Sequence, residues 1–299
     1  MEIVPYGGWN RCLRLTDGRI EIIATLEVGP RVIRFGFVNG KNEFAEFSHQ
    51  MGKVGGSEYR SYGGHRLWIA PEIPGKTDLP DNESVTLTQE GDCAILTASL
   101  QEQTGFQREL RIALKNKKVY VEHRIVQRMN YRDEVAPWAL SVMAPGGVGF
   151  FPQEPYQSHQ ERLLPVRPLV LWGYTDMSDS RWRWGRKLVR LKQAPIEAPQ
   201  KVGALVTAGW GGYVNENVLF LKRFPYIPNA RYPDFGCNFE TFTRHDMLEL
   251  ESLGPLSVIE RDSYVSHEEV WGLWENFSLP EDDDEAVAAL QKPLRELFS

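Results

Sequence analysis

Residues 62–72 read Tyr-Gly-Gly-His-Arg-Leu-Trp-Ile-Ala-Pro-Glu, so an imidazole, a guanidinium, an indole and a carboxylate fall within one short stretch. His65 can act as an acid, Arg66 and Glu72 can orient hydroxyls, and Trp68 offers a flat apolar face. The paired glycines Gly63 and Gly64 let the backbone turn sharply or approach a ligand closely. These are the residue types that hold and cover a polar ligand in a cleft. The plainer alternative is a surface turn that Trp68 anchors to the core. A core strand would carry His65, Arg66 and Glu72 only if something satisfied them.

A second stretch, residues 232–243, reads Tyr-Pro-Asp-Phe-Gly-Cys-Asn-Phe-Glu-Thr-Phe-Thr. Glu240 alternates with Phe239 and Thr241 in a segment predicted to lie inside a sheet. A carboxylate there is paired, solvent-facing or functional; pairing to an arginine is the structural alternative. Tyr232 and Asp234 precede that strand and could line the rim of a cleft. Further on, Leu248-Glu249-Leu250-Glu251 alternates strictly, leucines to one side and glutamates to the other. That pair of acids reads as readily as a solvated sheet face.

Such residues need elements to hold them. The dominant pattern is short alternating segments closed by turn signals, which predicts strands. Residues 11–15 run to Asp17-Gly18 and then to 20–25, a strong hairpin signal. Residues 31–38, 84–89, 93–100, 106–114 and 119–126 continue the series. Val119, Val121, His123 and Ile125 share one strand face, so His123 reads as a hydrogen-bonded core histidine rather than a ligand. Residues 136–168, rich in Pro and Gly, read as long loops around short strands. Residues 182–191, 201–206, 217–223, 237–243, 247–253 and 256–265 look extended, and Ser266-His267-Glu268-Glu269 reads as a capping turn before Trp271. Only the tail after Pro280 reads as helix. Its acidic start suits a helix N-terminus; Val287, Leu290, Leu294 and Leu297 recur at helical spacing, and Pro293 should kink or split it. The expected architecture is all-β, a large antiparallel sandwich with a short C-terminal helix. Residues 1–279 form its single domain, with 280–299 an acidic, helical tail packed on it.

The chain of 299 residues is long enough to bury a large core. A net charge of −6 and a pI near 5.6 argue against nucleic acid as a partner. The one basic cluster, residues 181–190, is interrupted by Trp182, Trp184 and Gly185. No apolar run approaches the roughly 18 residues a bilayer crossing needs, and residues 1–5 lack the pattern of a secretory signal. Three widely spaced cysteines, Cys12, Cys93 and Cys237, form neither a disulfide framework nor a zinc pattern, so a reducing cytoplasm is expected. No pair of histidines has the spacing of a metal site, and no nucleotide or hydrolase fingerprint is present. Nine tryptophans supply either core or the flat faces that sugar rings stack on.

Taken in order, several segments resemble the galactose mutarotase-like superfamily, which includes aldose 1-epimerases and hexose-6-phosphate epimerases. Leu26-Glu27-Val28-Gly29-Pro30-Arg31-Val32-Ile33 is similar to its opening strands, Tyr62-Gly63-Gly64 to its paired glycines, and Cys237-Asn238-Phe239-Glu240-Thr241 to the late strand bearing its catalytic glutamate. The likeness spans roughly residues 5–275, in segments. It implies a β-sandwich and sugar chemistry: a carboxylate takes the anomeric proton, a histidine protonates the ring oxygen, and the ring opens, rotates and recloses. Glu240 matches the base. The family's histidine does not recur, because Leu140-Ser141-Val142-Met143-Ala144-Pro145-Gly146-Gly147 has none, and neither does the stretch 71–79. His65 is then the candidate acid, with Arg66, Trp68, Glu72, Tyr232 and Asp234 as candidate substrate contacts.

The leading expectation is a carbohydrate-binding protein that interconverts sugar anomers. The alternative is a non-catalytic carbohydrate-binding or sensor protein that has lost the epimerase histidine. A third is an accessory sandwich domain of the kind found beside polysaccharide lyases, and glycoside cleavage by Glu240 and Glu72 ranks below it. The expected partner is a small sugar or sugar derivative, without nucleic acid, membrane, metal or cofactor; the sequence specifies no oligomeric state.

Overall fold

A computed structural model describes residues 1–299, with the alternating segments as strands. The first nine are β1 (Glu2–Tyr6), β2 (Trp9–Thr16), β3 (Ile20–Thr25), β4 (Arg31–Phe37), β5 (Gly64–Ala70), β6 (Thr86–Glu90), β7 (Cys93–Thr97), β8 (Phe106–Lys115) and β9 (Lys118–Gln127). Then come β10 (Asp133–Met143), β11 (Val148–Pro152), β12 (Leu169–Leu171), β13 (Trp182–Trp184), β14 (Leu188–Lys192), β15 (Gln200–Ala204) and β16 (Trp210–Asn215). The last are β17 (Val218–Arg223), β18 (Phe239–Arg244), β19 (Met247–Leu253), β20 (Ser257–Ile259) and β21 (Tyr264–Trp274), before helix α1 (Asp283–Phe298).

Two antiparallel sheets result. The first runs β1-β2-β3-β4-β5-β10-β19-β18-β15-β12, with β20 beside the start of β10. The second runs β13-β14-β11-β16-β17-β21-β9-β8-β7-β6. Local chemistry closes the hairpins: at the predicted β2–β3 turn, Asp17 Oδ1 accepts from the N–H groups of Arg19 and Ile20, both at 2.9 Å. Leu67 and Ile69 of β5, Leu248 and Leu250 of β19, Phe239 and Val202 meet Val121, Ile125, Phe220 and Trp271 from the other sheet in one buried cluster. Burying each such side chain stabilises by about 1.5–3 kcal/mol. By the two-residue period, their neighbours in sequence must face away from that core.

Three readings of the sequence change. Residues 136–143 are no loop: they belong to β10, an eleven-residue strand at the centre of the first sheet. Pro137 is tolerated because β10 changes partner there, pairing with β20 over Asp133–Val135 and with β19 from Trp138 onward, so no neighbour needs its missing N–H. His267 lies within strand β21 rather than in a capping turn. The helix runs on through Pro293, which is buried with Ala286, Leu290 and Leu297.

α1 begins as its acidic start suggested. The Asp282 carboxylate accepts from the N–H groups of Asp284 (2.8 Å) and Glu285 (3.0 Å). Ala286, Leu290 and Leu297 then pack on Phe150, Leu219, Leu221 and Val270, the outer face of the second sheet. The outer face of the first sheet carries no such helix. No helix is long and apolar enough to cross a membrane.

Candidate functional site

Five strands meet side by side in the first sheet, β5-β10-β19-β18-β15, and one row of residues crosses them in register. Arg66 lies opposite Leu140, Leu140 opposite Glu251, Glu251 opposite Glu240, and Glu240 opposite Gly203. Each has core-facing neighbours, so this row projects from the outer face. The Leu-Glu-Leu-Glu alternation of β19 thus places two acids there. They are not solvated: Glu249 is 6% exposed and Glu251 fully buried.

Lys201 of β15 links the acids. Its Nζ is 2.9 Å from Glu251 Oε2 and 2.7 Å from Glu240 Oε2. Only the contact to Glu251 is aligned as a hydrogen bond, so both Glu240 oxygens and Glu251 Oε1 are buried without an aligned donor. Trp138 Nε1 donates to Glu251 Oε2 at 2.8 Å. The ammonium also lies between two indoles, 4.8 Å from the Trp138 ring centre and 4.7 Å from that of Trp172. A side chain at Gly203 would strike Cys237 Sγ at 2.5 Å, which explains the glycine beside Glu240.

Arg66 forms the neighbouring half of the face. Its guanidinium is 3.3 Å from Glu249, donates to Ser61 Oγ at 3.0 Å and stacks 4.6 Å above Trp68. Trp68 in turn packs edge-on against Trp138, 5.4 Å between ring centres.

Burial sets the electrostatics. It pushes Glu240 well above the usual carboxylate range, against the pull of Lys201 and with help from Glu251. It raises Glu249 likewise, with Arg66 opposing. Burial works against the Lys201 ammonium, yet Glu251 and Glu240 outweigh it and hold the proton more tightly than usual. Lys201 therefore pairs with both acids, and Glu240 is the one that burial inclines to hold a proton. Tyr174, 43% exposed, is pushed up to about 12 by burial.

The structure thus brings Arg66, Trp68 and Glu240 to one face. Glu72 is exposed; partial burial raises its carboxyl, and Lys201, Glu251 and Asp234 act on it through space. Asp234 is half-buried in a loop where it and Phe235 both adopt positive φ (50° and 59°), leaving Phe235 96% exposed. Tyr232 is buried, and its hydroxyl accepts from the Ile227 N–H at 2.9 Å, so it serves its own loop.

His65 is not brought to Glu240. It shares its strand face with Leu67 and Ile69 and is sealed between the sheets. Its surroundings form a second polar cluster whose protons can be assigned. The His267 carbonyl can only accept, so His123 Nδ1 (2.9 Å away) carries a proton and the Nε2 of neutral His123 is bare. His65 Nε2 then donates to it at 2.6 Å, and His65 Nδ1 accepts from Ser141 Oγ at 2.9 Å. Lys222 Nζ donates to Ser141 Oγ (3.2 Å) and the Leu250 carbonyl (3.0 Å) and pairs with Glu269 Oε1 (2.6 Å). Glu269 also accepts from Ser252 Oγ and Trp271 Nε1. Ligand-type atoms of His65, His123 and Glu269 lie within 4.8 Å of one another, and the Lys222 ammonium already pairs with the Glu269 carboxylate at 2.6 Å.

Sequence reasoning missed Lys201, Trp172 and Trp138 as parts of the face, and Lys222 and Glu269 as parts of the interior. The available signal was a lone lysine alternating with Val202 and Ala204 in a strand segment.

No family model matches the chain, and no curated protein matches it in sequence. Solved structures do match. A galactose mutarotase-like protein from Lactobacillus casei ATCC 334 superposes with TM-score 0.55 at 8% identity, over 88% of this chain and 100% of that one. A provisionally named aldose 1-epimerase from Escherichia coli K12 gives 0.57 at 7% identity, over 88% and 99%. The Slr1438 protein of Synechocystis sp. PCC 6803 gives 0.58 at 12% identity, over 93% and 100%. At such identities the likeness is one of fold: the chain has the galactose mutarotase-like fold.

Proposed function

We propose that the outer face of the first sheet binds a small sugar and that the protein interconverts its anomers, with Glu240 taking the proton from the anomeric hydroxyl. The observation that carries this reading is Glu240 itself, a fully buried carboxylate whose one close partner, Lys201 at 2.7 Å, is not aligned as a hydrogen bond and whose other oxygen has no partner. Such a group is costly and persists where chemistry needs it. Trp172 and Tyr174 lie on the loop between β12 and β13, and Trp172 covers the Lys201 ammonium, so a sugar ring must displace that loop to reach Glu240 and Lys201. Trp68 and Trp172 offer stacking faces; Arg66, Glu72 and Asp234 orient hydroxyls. The three free cysteines suit a reducing cytoplasm.

Saturation-transfer NMR on α-glucose, α-galactose and a panel of other aldoses tests the reading. The protein should accelerate anomerisation of at least one, and Glu240→Gln should lower that rate about 100-fold or more. The rate should climb with pH through an acid limb above the ordinary carboxylate range, since Glu240 must be ionised to accept the proton and burial holds its pKa up. The second reading is a carbohydrate-binding or sensor protein without catalysis. Its supporting observation is that His65 faces the core and no imidazole stands on the sugar face. Sugar binding by titration, with no rate effect across the panel, would favour it.

A further inference from the structure

Ring opening needs a proton at the ring oxygen as well as a base at the anomeric hydroxyl. On the face that carries Glu240, the nearest group able to give one is the ammonium of Lys201, 2.7 Å from Glu240 Oε2. Its Nζ donates to Glu251 and lies against Glu240, and beyond these two carboxylates it meets only the rings of Trp138 and Trp172. From these contacts we infer that Lys201 protonates the ring oxygen, the task a histidine would otherwise perform. This inference rests on the anomer reading above.

The step balances without any added reagent. The Glu240 carboxylate removes the proton from the anomeric O1–H, and the O–H electron pair becomes the second C1–O1 bond. The bond from C1 to the ring oxygen breaks, its electron pair staying on oxygen, and that oxygen takes a proton from Lys201, leaving a neutral amine. After rotation about C1–C2 the ring hydroxyl returns its proton to the amine as its oxygen attacks the other face of C1. The aldehyde oxygen recovers the proton from Glu240.

Two features favour this pairing. The cluster's total charge does not change, because Glu240 gains a proton as the adjacent Lys201 loses one. The buried site therefore gains no net charge during the step. Glu240 and Glu251 together hold the Lys201 proton in place. Protonating Glu240 removes one of those two charges, so Lys201 becomes more acidic just as the ring oxygen needs its proton.

The test uses the full chain, the aldose that responds best, and Lys201→Arg, Lys201→Met and Lys201→Ala variants. Arginine keeps the positive charge beside Glu240 and Glu251 but does not surrender a proton. Lys201→Arg should therefore fold, as judged by circular dichroism and thermal melting, and bind sugar with KM within about threefold, yet lose about 100-fold or more in kcat. Lys201→Met should lose as much. Small primary amines should restore rate to Lys201→Ala in proportion to their acid strength, which a merely structural lysine would not allow. If Lys201→Arg keeps the wild-type kcat, or no amine rescues Lys201→Ala, Lys201 is not the donor, while the wild-type rate still upholds the sugar reading. If the wild-type protein accelerates no aldose, both fall together.

Discussion

Two lysines sit back to back across the first sheet, each with glutamate and tryptophan. Between the sheets, Lys222 pairs with Glu269, Trp271 donates to the same carboxylate, and three histidines and two serines take up the remaining hydrogen bonds. On the outer face, Lys201 pairs with Glu251, Trp138 donates to that carboxylate, and Glu240 is left without an aligned partner. The parts are nearly the same; the accounting of donors differs. A saturated buried network fixes one arrangement of the sheets and offers a ligand nothing. An unsaturated one is a cost to stability that a bound hydroxyl can relieve. This difference is what supports the proposal of a sugar site on the outer face, although the histidines lie inside.

The most direct way to break this contrast is to remove each lysine. Lys222→Met leaves Glu269 charged in a sealed interior and should cost about 3–5 kcal/mol, read from the midpoint of urea unfolding. Lys201→Met should cost less than half as much, because Glu240 can take up a proton and Trp138 still donates to Glu251. Equal losses would mean that both clusters are structural.

Acid sharpens the contrast next. Burial, with His123 assisting, lowers His267 to about 3, and burial likewise lowers His65 and His123. A histidine whose folded pKa is depressed has no effect on stability while both states are neutral. As pH falls below about 6.5 the unfolded chain takes protons that the folded one refuses. Stability should then fall by up to about 1.4 kcal/mol per pH unit for each such histidine. Glu269 adds to the loss below the ordinary carboxylate pKa: burial would raise it, but Lys222 and the histidines hold it down. His267→Asn should flatten the slope between pH 6 and 4 in denaturation series, and an unchanged slope would assign acid sensitivity elsewhere.

Much of this could be read from parity. Leu248 and Leu250 against Glu249 and Glu251 told the two faces of β19 apart, and Phe239 did the same for Glu240. The same rule, applied to His65, Leu67 and Ile69, turns the histidine to the core and leaves Arg66 and Trp68 outside. The motif's richness in chemical types concealed that signal. What sequence did not reveal is adjacency. β15, β18, β19, β10 and β5 are neighbours in the sheet but far from sequence order, so the meeting of Lys201 with Glu251 and Trp138 depends on long-range pairing. β10 itself was hidden because a proline normally argues against a central strand.

The smallest expected effect is the most telling. A functional residue that strains its surroundings should leave the protein more stable when it is neutralised. Burial makes the folded state hold the Glu240 proton at pH values where the unfolded chain has released it. By the sign of linkage, stability then declines as pH rises from the ordinary carboxylate pKa of about 4.3 toward the elevated folded one. The amide that Glu240→Gln introduces cannot ionise, and Lys201 keeps Glu251 at 2.9 Å. Glu240→Gln should therefore match the wild type near pH 4 and gain about 0.5–2 kcal/mol by pH 8. Glu269→Gln, which weakens a saturated pair, should lose stability across the same range. Parallel melts of the two variants from pH 4 to 8 give the comparison. If both lose stability alike, Glu240 is a structural acid like Glu269, and the outer face has no claim to chemistry.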